Sequence, residues 1–198
     1  MTDIYIGIDP GVANCAVVAY SPTKGLVEAW KPKGSIPAGV MRLRYLMVHI
    51  DGAMRRFAGE GQVLQVAIEH YSMAEKYGQH ASGEVGATIK LTLLAFFGAD
   101  DRRAFPLLVA PQQLKKFVAG NGNIKKSMIP KEVYKRWGED FNDDNLAEAY
   151  GLARVAHAYD AEPDMTQFQR DVMKNLVGRT EWVPPLPERK RRLVRPAR

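Results

Sequence analysis

Residues 4–20 read IYIGIDPGVANCAVVAY, and residues 63–69 read VLQVAIE. In the first stretch apolar and small residues alternate from Ile4 to Ile8, Asp9-Pro10-Gly11 signals a turn, and Ala16–Tyr20 is apolar again. That pattern predicts strand, tight turn, strand. Pro22, Lys24 and Gly25 mark a second turn before a third strand at Leu26–Trp30. The second stretch is apolar and rich in β-branched residues, as expected of a buried strand, and it delivers Glu69 at its C-terminal end. Between the two, Val40, Leu43, Met47, Ile50, Met54 and Phe57 recur every three or four residues, which predicts a helix closed by Gly59 and Gly61.

Downstream, His70–His80 reads as a polar loop and Ala81–Phe97 as a helix with two apolar stripes. Val85, Ile89, Leu93 and Phe97 form one stripe, which suits either the core or a dimer seam; Leu91, Leu94 and Ala95 populate the other. Phe105–Ala110 reads as a short strand capped by Pro111, followed by helices at Gln112–Val118 and at Ile129–Trp137, the latter with Pro130 in its first turn. Asn142 is the expected N-cap of a helix over Asp143–Tyr159, and Met165–Val177 reads as one more helix. From Pro184 onward, Pro and Arg dominate. An antiparallel hairpin followed by β-α units predicts an α/β domain with a mixed five-stranded sheet and helices on both faces. The expected division is a domain over residues 1–160 and a C-terminal extension over 161–198.

Length and composition narrow the possibilities. With 198 residues, 46% of them hydrophobic and 25% charged, the chain is long enough to bury a core without disulfides. Cys15 is the single cysteine, which excludes an internal disulfide and suits a reducing compartment. No apolar run approaches the roughly 20 residues of a membrane helix, and MTDIYIGIDPG lacks a basic signal region, so the expected location is cytoplasmic. The formal net charge is +6, unevenly spread. Residues 188–198, ERKRRLVRPAR, hold six basic groups against one acid, leaving 22 basic and 21 acidic residues in the first 187. Such an arm favours a polyanion by counterion release, or simply keeps the chain soluble.

Four acids carry the chemistry. Asp9 and Glu69 each end a strand, and Asp144 and Glu148 lie one helical turn apart on a common face. Four converging carboxylates repel one another unless a cation neutralises them, and hard oxygen donors select Mg²⁺ or Mn²⁺. Two such ions per site would suit hydrolysis of a phosphodiester. Capping and dipole roles for Asp143 and Asp144 are the plain alternative.

In order and spacing, GIDPGVANCAVV, VAIEHYSMAEKYGQHASGEVGATIK, VAPQQLKKFVAGNGNIKKSMI and DDNLAEAYGLARVAHA resemble the RuvC Holliday-junction resolvases. The likeness covers residues 4 to about 159 and implies an RNase H-like fold of the retroviral integrase superfamily. It further implies a homodimer that makes paired, metal-dependent nicks in four-way DNA junctions, leaving 5′-phosphate and 3′-hydroxyl ends. Asp9 matches the first catalytic aspartate and Glu69 the catalytic glutamate, while the segment with Asp144, Asn145 and Glu148 matches the source of the last two acids. The last acid is Glu148 where the family usually has Asp, and Asn145 stands where the preceding acid usually falls. The resemblance also gives Lys125 and Lys126 to the scissile strand, with Lys126 among the catalytic groups, and Tyr71 and Tyr77 to the junction centre. The Pro- and Arg-rich extension suggests, by analogy, a phage-type member. No nucleotide cofactor and no membrane partner are expected. The competing reading is a nuclease of the same fold acting on flaps, forks or RNA–DNA hybrids.

Overall fold

The computed structural model describes residues 1–70 and 79–176. The alternating stretch forms β1 (Asp3–Asp9), paired antiparallel with β2 (Ala16–Ser21), which pairs with β3 (Gly25–Trp30). Asp9 stays in the ladder opposite Ala16, so residues 10–15 form a longer connection, not the tight turn expected at Asp9-Pro10-Gly11. Pro10, with no N–H to offer, is where the pairing stops.

The chain continues through α1 (Val40–Glu60), β4 (Gln62–Glu69), α2 (Gln79–Phe97) and β5 (Leu107–Val109). Four helices follow: α3 (Pro111–Ala119), α4 (Ile129–Trp137), α5 (Asp144–Ala161) and α6 (Gln167–Leu176). Helix α1 runs through Gly59 and stops only at Gly61, where the Gln62 amide donates to the Thr2 carbonyl (2.8 Å) and turns the chain into β4. Strand β5 is shorter than its apolar run, and Pro111 opens α3. Asp143, not Asn142, caps α5: its carboxylate accepts from the Leu146 amide at 3.0 Å.

The sheet order is β3-β2-β1-β4-β5, with β1 parallel to β4 and β4 parallel to β5. Strand alternation sorts two cores. Ile4, Ile6, Ile8, Val66 and Ile68 face α1 and α2, whereas Tyr5, Ala67, Leu107 and Val109 face α3 to α6. Val85, Ile89 and Leu93 lie wholly inside the α1–α2 layer, which rules them out as a dimer seam; Leu91, 64% exposed, is on the outer side. Val172, Met173 and Leu176 of α6 join the opposite core, so the chain stays packed well past residue 160. Among the described residues no helix is long and apolar enough to cross a membrane.

Candidate active site

Register and parity bring Asp9 and Glu69 together. In the parallel β1–β4 pair, Gly7 stands beside Ala67 and Ile8 beside Ile68, so the next residue on each strand is Asp9 and Glu69. Asp9 shares the face of Tyr5 and Gly7, and Glu69 that of Ala67. Both therefore look toward α5. They also stand at the carboxyl ends of neighbouring strands, where open α/β sheets present their ligand crevices.

Helix α5 supplies the third acid through an unusually close approach. A Cβ at Gly7 would lie 1.9 Å from the Ala149 carbonyl oxygen and 2.4 Å from the Ala153 amide, so only glycine lets the helix lie this deep against β1. Nearly every residue from Ala147 to Ala158 is buried, Glu148 among them at 3% exposure. Asp144, a turn earlier and partly exposed, adds to the repulsion that Glu148 feels. Asp9 is 5% exposed and is held from below by the Gly11 amide.

Burial, opposed by Lys126 and reinforced by Glu148, pushes the Asp9 carboxyl up to about 6. Burial, then Asp9 and Glu148, pushes Glu69 up to about 8. Glu148 is raised chiefly by burial and partly relieved by Lys126. The Lys126 ammonium lies 3.5 Å from Asp9 Oδ2 and pairs with Glu148 Oε2. Burial lowers its pKa, but the attraction of Asp9, Glu148 and Glu69 outweighs that and raises it.

Lys126 was expected near the site and is there. Its neighbour Lys125 is exposed, at the start of the short 3-10 turn Lys126–Met128, and makes no described contact with the acids. Asp143 caps α5 through the Leu146 amide and pairs with Lys31. Lys115 of α3 was not singled out from the sequence, yet its charge lowers the pKa of both Glu69 and Glu148. Its signal was the spacing of Leu114, Phe117 and Val118, which buries one face of α3 and leaves the lysine beside the crevice. Tyr71 and Tyr77 lie outside the described residues, as does the basic tail. His157 is in the core, 8% exposed, with its ring 4.8 Å from that of Tyr5. His70 extends the sheet through its amide, which donates to the Val109 carbonyl (2.8 Å).

Among the described residues no three His, Cys, Asp or Glu side chains are gathered closely enough to hold an ion as they stand. Asp9, Glu69 and Glu148 feel one another's charge, Glu148 also feels that of Asp144, and the Lys126 ammonium pairs with both Asp9 and Glu148. The donor set nevertheless fits a divalent cation. Its oxygens are hard, two of its carboxylates are almost fully buried, and their raised pKa values record an unmet demand for positive charge.

No family model and no curated protein matches the chain. Solved structures do. A Thermus thermophilus RuvC in complex with Holliday junction substrate is 20% identical, covering 77% of this chain and 90% of its own, with a TM-score of 0.58. A second Thermus thermophilus RuvC structure is 17% identical over 91% of this chain and 98% of its own, with a TM-score of 0.57. The chain has the RuvC fold, an RNase H-like mixed sheet of five strands.

Proposed function

We propose that this protein is a structure-specific endonuclease that cuts four-way DNA junctions by metal-dependent hydrolysis of phosphodiesters. The observation that carries the reading is the meeting of Asp9 and Glu69, on adjacent strand ends, with Glu148 from the helix packed against them. Asp9, Glu69, Asp144 and Glu148 are the residues that would hold Mg²⁺ or Mn²⁺. When bound, such ions polarise the scissile phosphate and make water a competent nucleophile.

The chain's own groups do the rest. The acids of β1, β4 and α5 fix where the reacting phosphate must lie, because their positions are set by register and by the Gly7 contact. Lys126 and Lys115 put positive charge beside the acids, where it can offset the charge that develops on the phosphate. Hydrolysis at phosphorus that expels the 3′ oxygen leaves 5′-phosphate and 3′-hydroxyl ends. A two-fold homodimer would match the pseudo-symmetry of a junction and make its cuts in pairs. Leu91 and, on α1, Met41, Met47 and Val48 are exposed apolar side chains available to such an interface.

The test is a panel of labelled substrates, namely a four-way junction, a Y-fork, plain duplex and an RNA–DNA hybrid, each with and without Mg²⁺. The expected result is paired nicking of the junction alone, and only with the metal. Asp9→Asn should cut at least about a hundredfold more slowly, the loss of several kcal/mol of transition-state stabilisation, while binding the junction as well or better. Equal cutting of forks or hybrids would transfer the assignment to another substrate on the same fold. Undiminished cutting by Asp9→Asn would remove the site.

A further inference from the structure

The acids and the lysine differ in how they are held. Asp9 ends a strand buried from Ile4 onward and Glu148 lies on a largely buried helix, the two elements locked together through Gly7. Lys126 belongs to the connection between α3 and α4, and the residues from Lys125 to Met128 are exposed. Its side chain is 43% exposed, while those of Asp9 and Glu148 are 7% and 4% exposed. A lysine stem has four rotatable bonds and carries a compact charge, so the ammonium can leave without unfolding any element. The backbone around it is anchored one turn away, where Ile129 is wholly buried.

Among the described residues, Asp9 and Glu148 thus provide fixed negative charge and Lys126 a movable positive charge that reaches in from solvent. Removing the ammonium with nothing in its place would leave carboxylates on two elements buried and unpaired, which is costly. A divalent cation bound to Asp9 and Glu148 would satisfy them better and repel the ammonium at short range. Resting on the metal-site reading above, we infer that Lys126 is a built-in counter-ion that holds these acids together in the metal-free protein and is displaced when a divalent cation binds. Metal and ammonium then compete for the same oxygens. By linkage, whatever draws Lys126 away, a DNA phosphate above all, strengthens metal binding by the same factor. The lysine freed by the metal is in turn available to the substrate.

Mn²⁺ binding to the full chain without DNA, followed by calorimetry and by the electron paramagnetic resonance of free Mn²⁺, tests this. Lys126→Met should bind Mn²⁺ about tenfold more tightly than the parent, within the usual range of coupling between sites. Lys126→Arg, which keeps the charge, should stay near the parent. In EDTA, Lys126→Met should melt below the parent, and saturating Mn²⁺ should narrow the gap. Lys126→Gln repeats both measurements should the Met variant fold poorly, as judged by far-ultraviolet circular dichroism. Equal or weaker Mn²⁺ binding by the neutral variants overturns the counter-ion role. If Asp9→Asn abolishes Mn²⁺ binding while Lys126→Met leaves it unchanged, only this inference falls. If Asp9→Asn binds Mn²⁺ as the parent does, the metal-site reading falls with it.

Discussion

Two adjacent aspartates at the start of α5 are held differently, because one residue of offset at a helix N-terminus decides which way a carboxylate points. Asp143 is extended, caps the helix through the Leu146 amide and pairs with Lys31, and its carboxyl is held below the ordinary range. Burial opposes that lowering, and the Lys31 and backbone hydrogen bonds outweigh it. Asp144 is the first helical residue and shares the face of Glu148. Asp143→Ala should therefore cost about 1 kcal/mol of stability, as cap losses do, and leave nicking close to normal. Asp144→Ala should leave the urea midpoint nearly unchanged and slow nicking at least about tenfold, a loss of roughly 1.4 kcal/mol. Nicking lost in Asp143→Ala with its stability intact would reverse the two roles. The sequence could rank these residues no better than it did, since capping and helical positions differ by one residue. Asp9 and Glu69 were legible because a strand end is a coarser landmark, and the pairing of β1 with β4 preserves it. The place of Lys126 was legible only through the family resemblance, because its pairing with Asp9 and Glu148 depends on the path of residues 120–128, which no periodicity governs.

At the scale of elements, α5 explains why the site is rigid. This helix is buried nearly all round: the sheet covers one side, and α3, α4 and α6 cover the other. What the periodicity could not reveal is how deep it lies, which depends on Gly7, a residue that in a strand pattern looks merely weak. Gly7→Ala forces a methyl group into the Ala149 carbonyl, and neither backbone can yield cheaply. The variant should lose about 3 kcal/mol or more, at the top of the overpacking range, and its melting temperature, measured in EDTA, should drop accordingly. A melting temperature within a degree or two of the parent's would mean α5 is not held by this contact. The far end of α5 carries a pH dependence. His157 packs between Tyr5 and Tyr20, and its Nδ1 is buried with no hydrogen-bond partner among the described residues. Burial, then the Arg154 guanidinium, hold its pKa below the ordinary 6.5, against the pull of Asp160 and Asp3. Protonation thus favours the unfolded chain: the contribution is intact above 6.5 and is lost as the pH falls through the folded value. Lowering the pH from about 7.5 to 5.5 should reduce the urea midpoint more in the parent than in His157→Phe. The comparison isolates this residue, since His157 is about 14 Å along the helix from Glu148 and distant sites add. Parallel pH profiles for the two proteins would show that His157 does not titrate across that range.

For the whole molecule, charge would decide how DNA is held under the proposed function, and the charge is unevenly placed. The first 187 residues are nearly balanced, and the active crevice concentrates acids that repel phosphate. Lys126 pairs with Asp9 and Glu148, and the charge of Lys115 is felt by Glu69 and Glu148. Residues 188–198 hold six basic groups and one acid, enough to supply much of the sequence-independent attraction for a polyanion. Each phosphate neutralised on duplex DNA contributes about 0.9 to the slope of log K against log salt. Deleting residues 188–198 should therefore flatten that slope by up to about five, weakening junction and plain duplex alike. On the proposed function, the preference for the junction, read as the ratio of the two affinities at one salt concentration, should survive, because shape selection would belong to the folded domain. Fluorescence anisotropy from about 50 to 200 mM salt separates the outcomes. A flatter slope with the ratio preserved assigns the tail to non-specific attraction. An unchanged slope assigns it to solubility, and a collapsed ratio would make the tail itself a reader of junction shape.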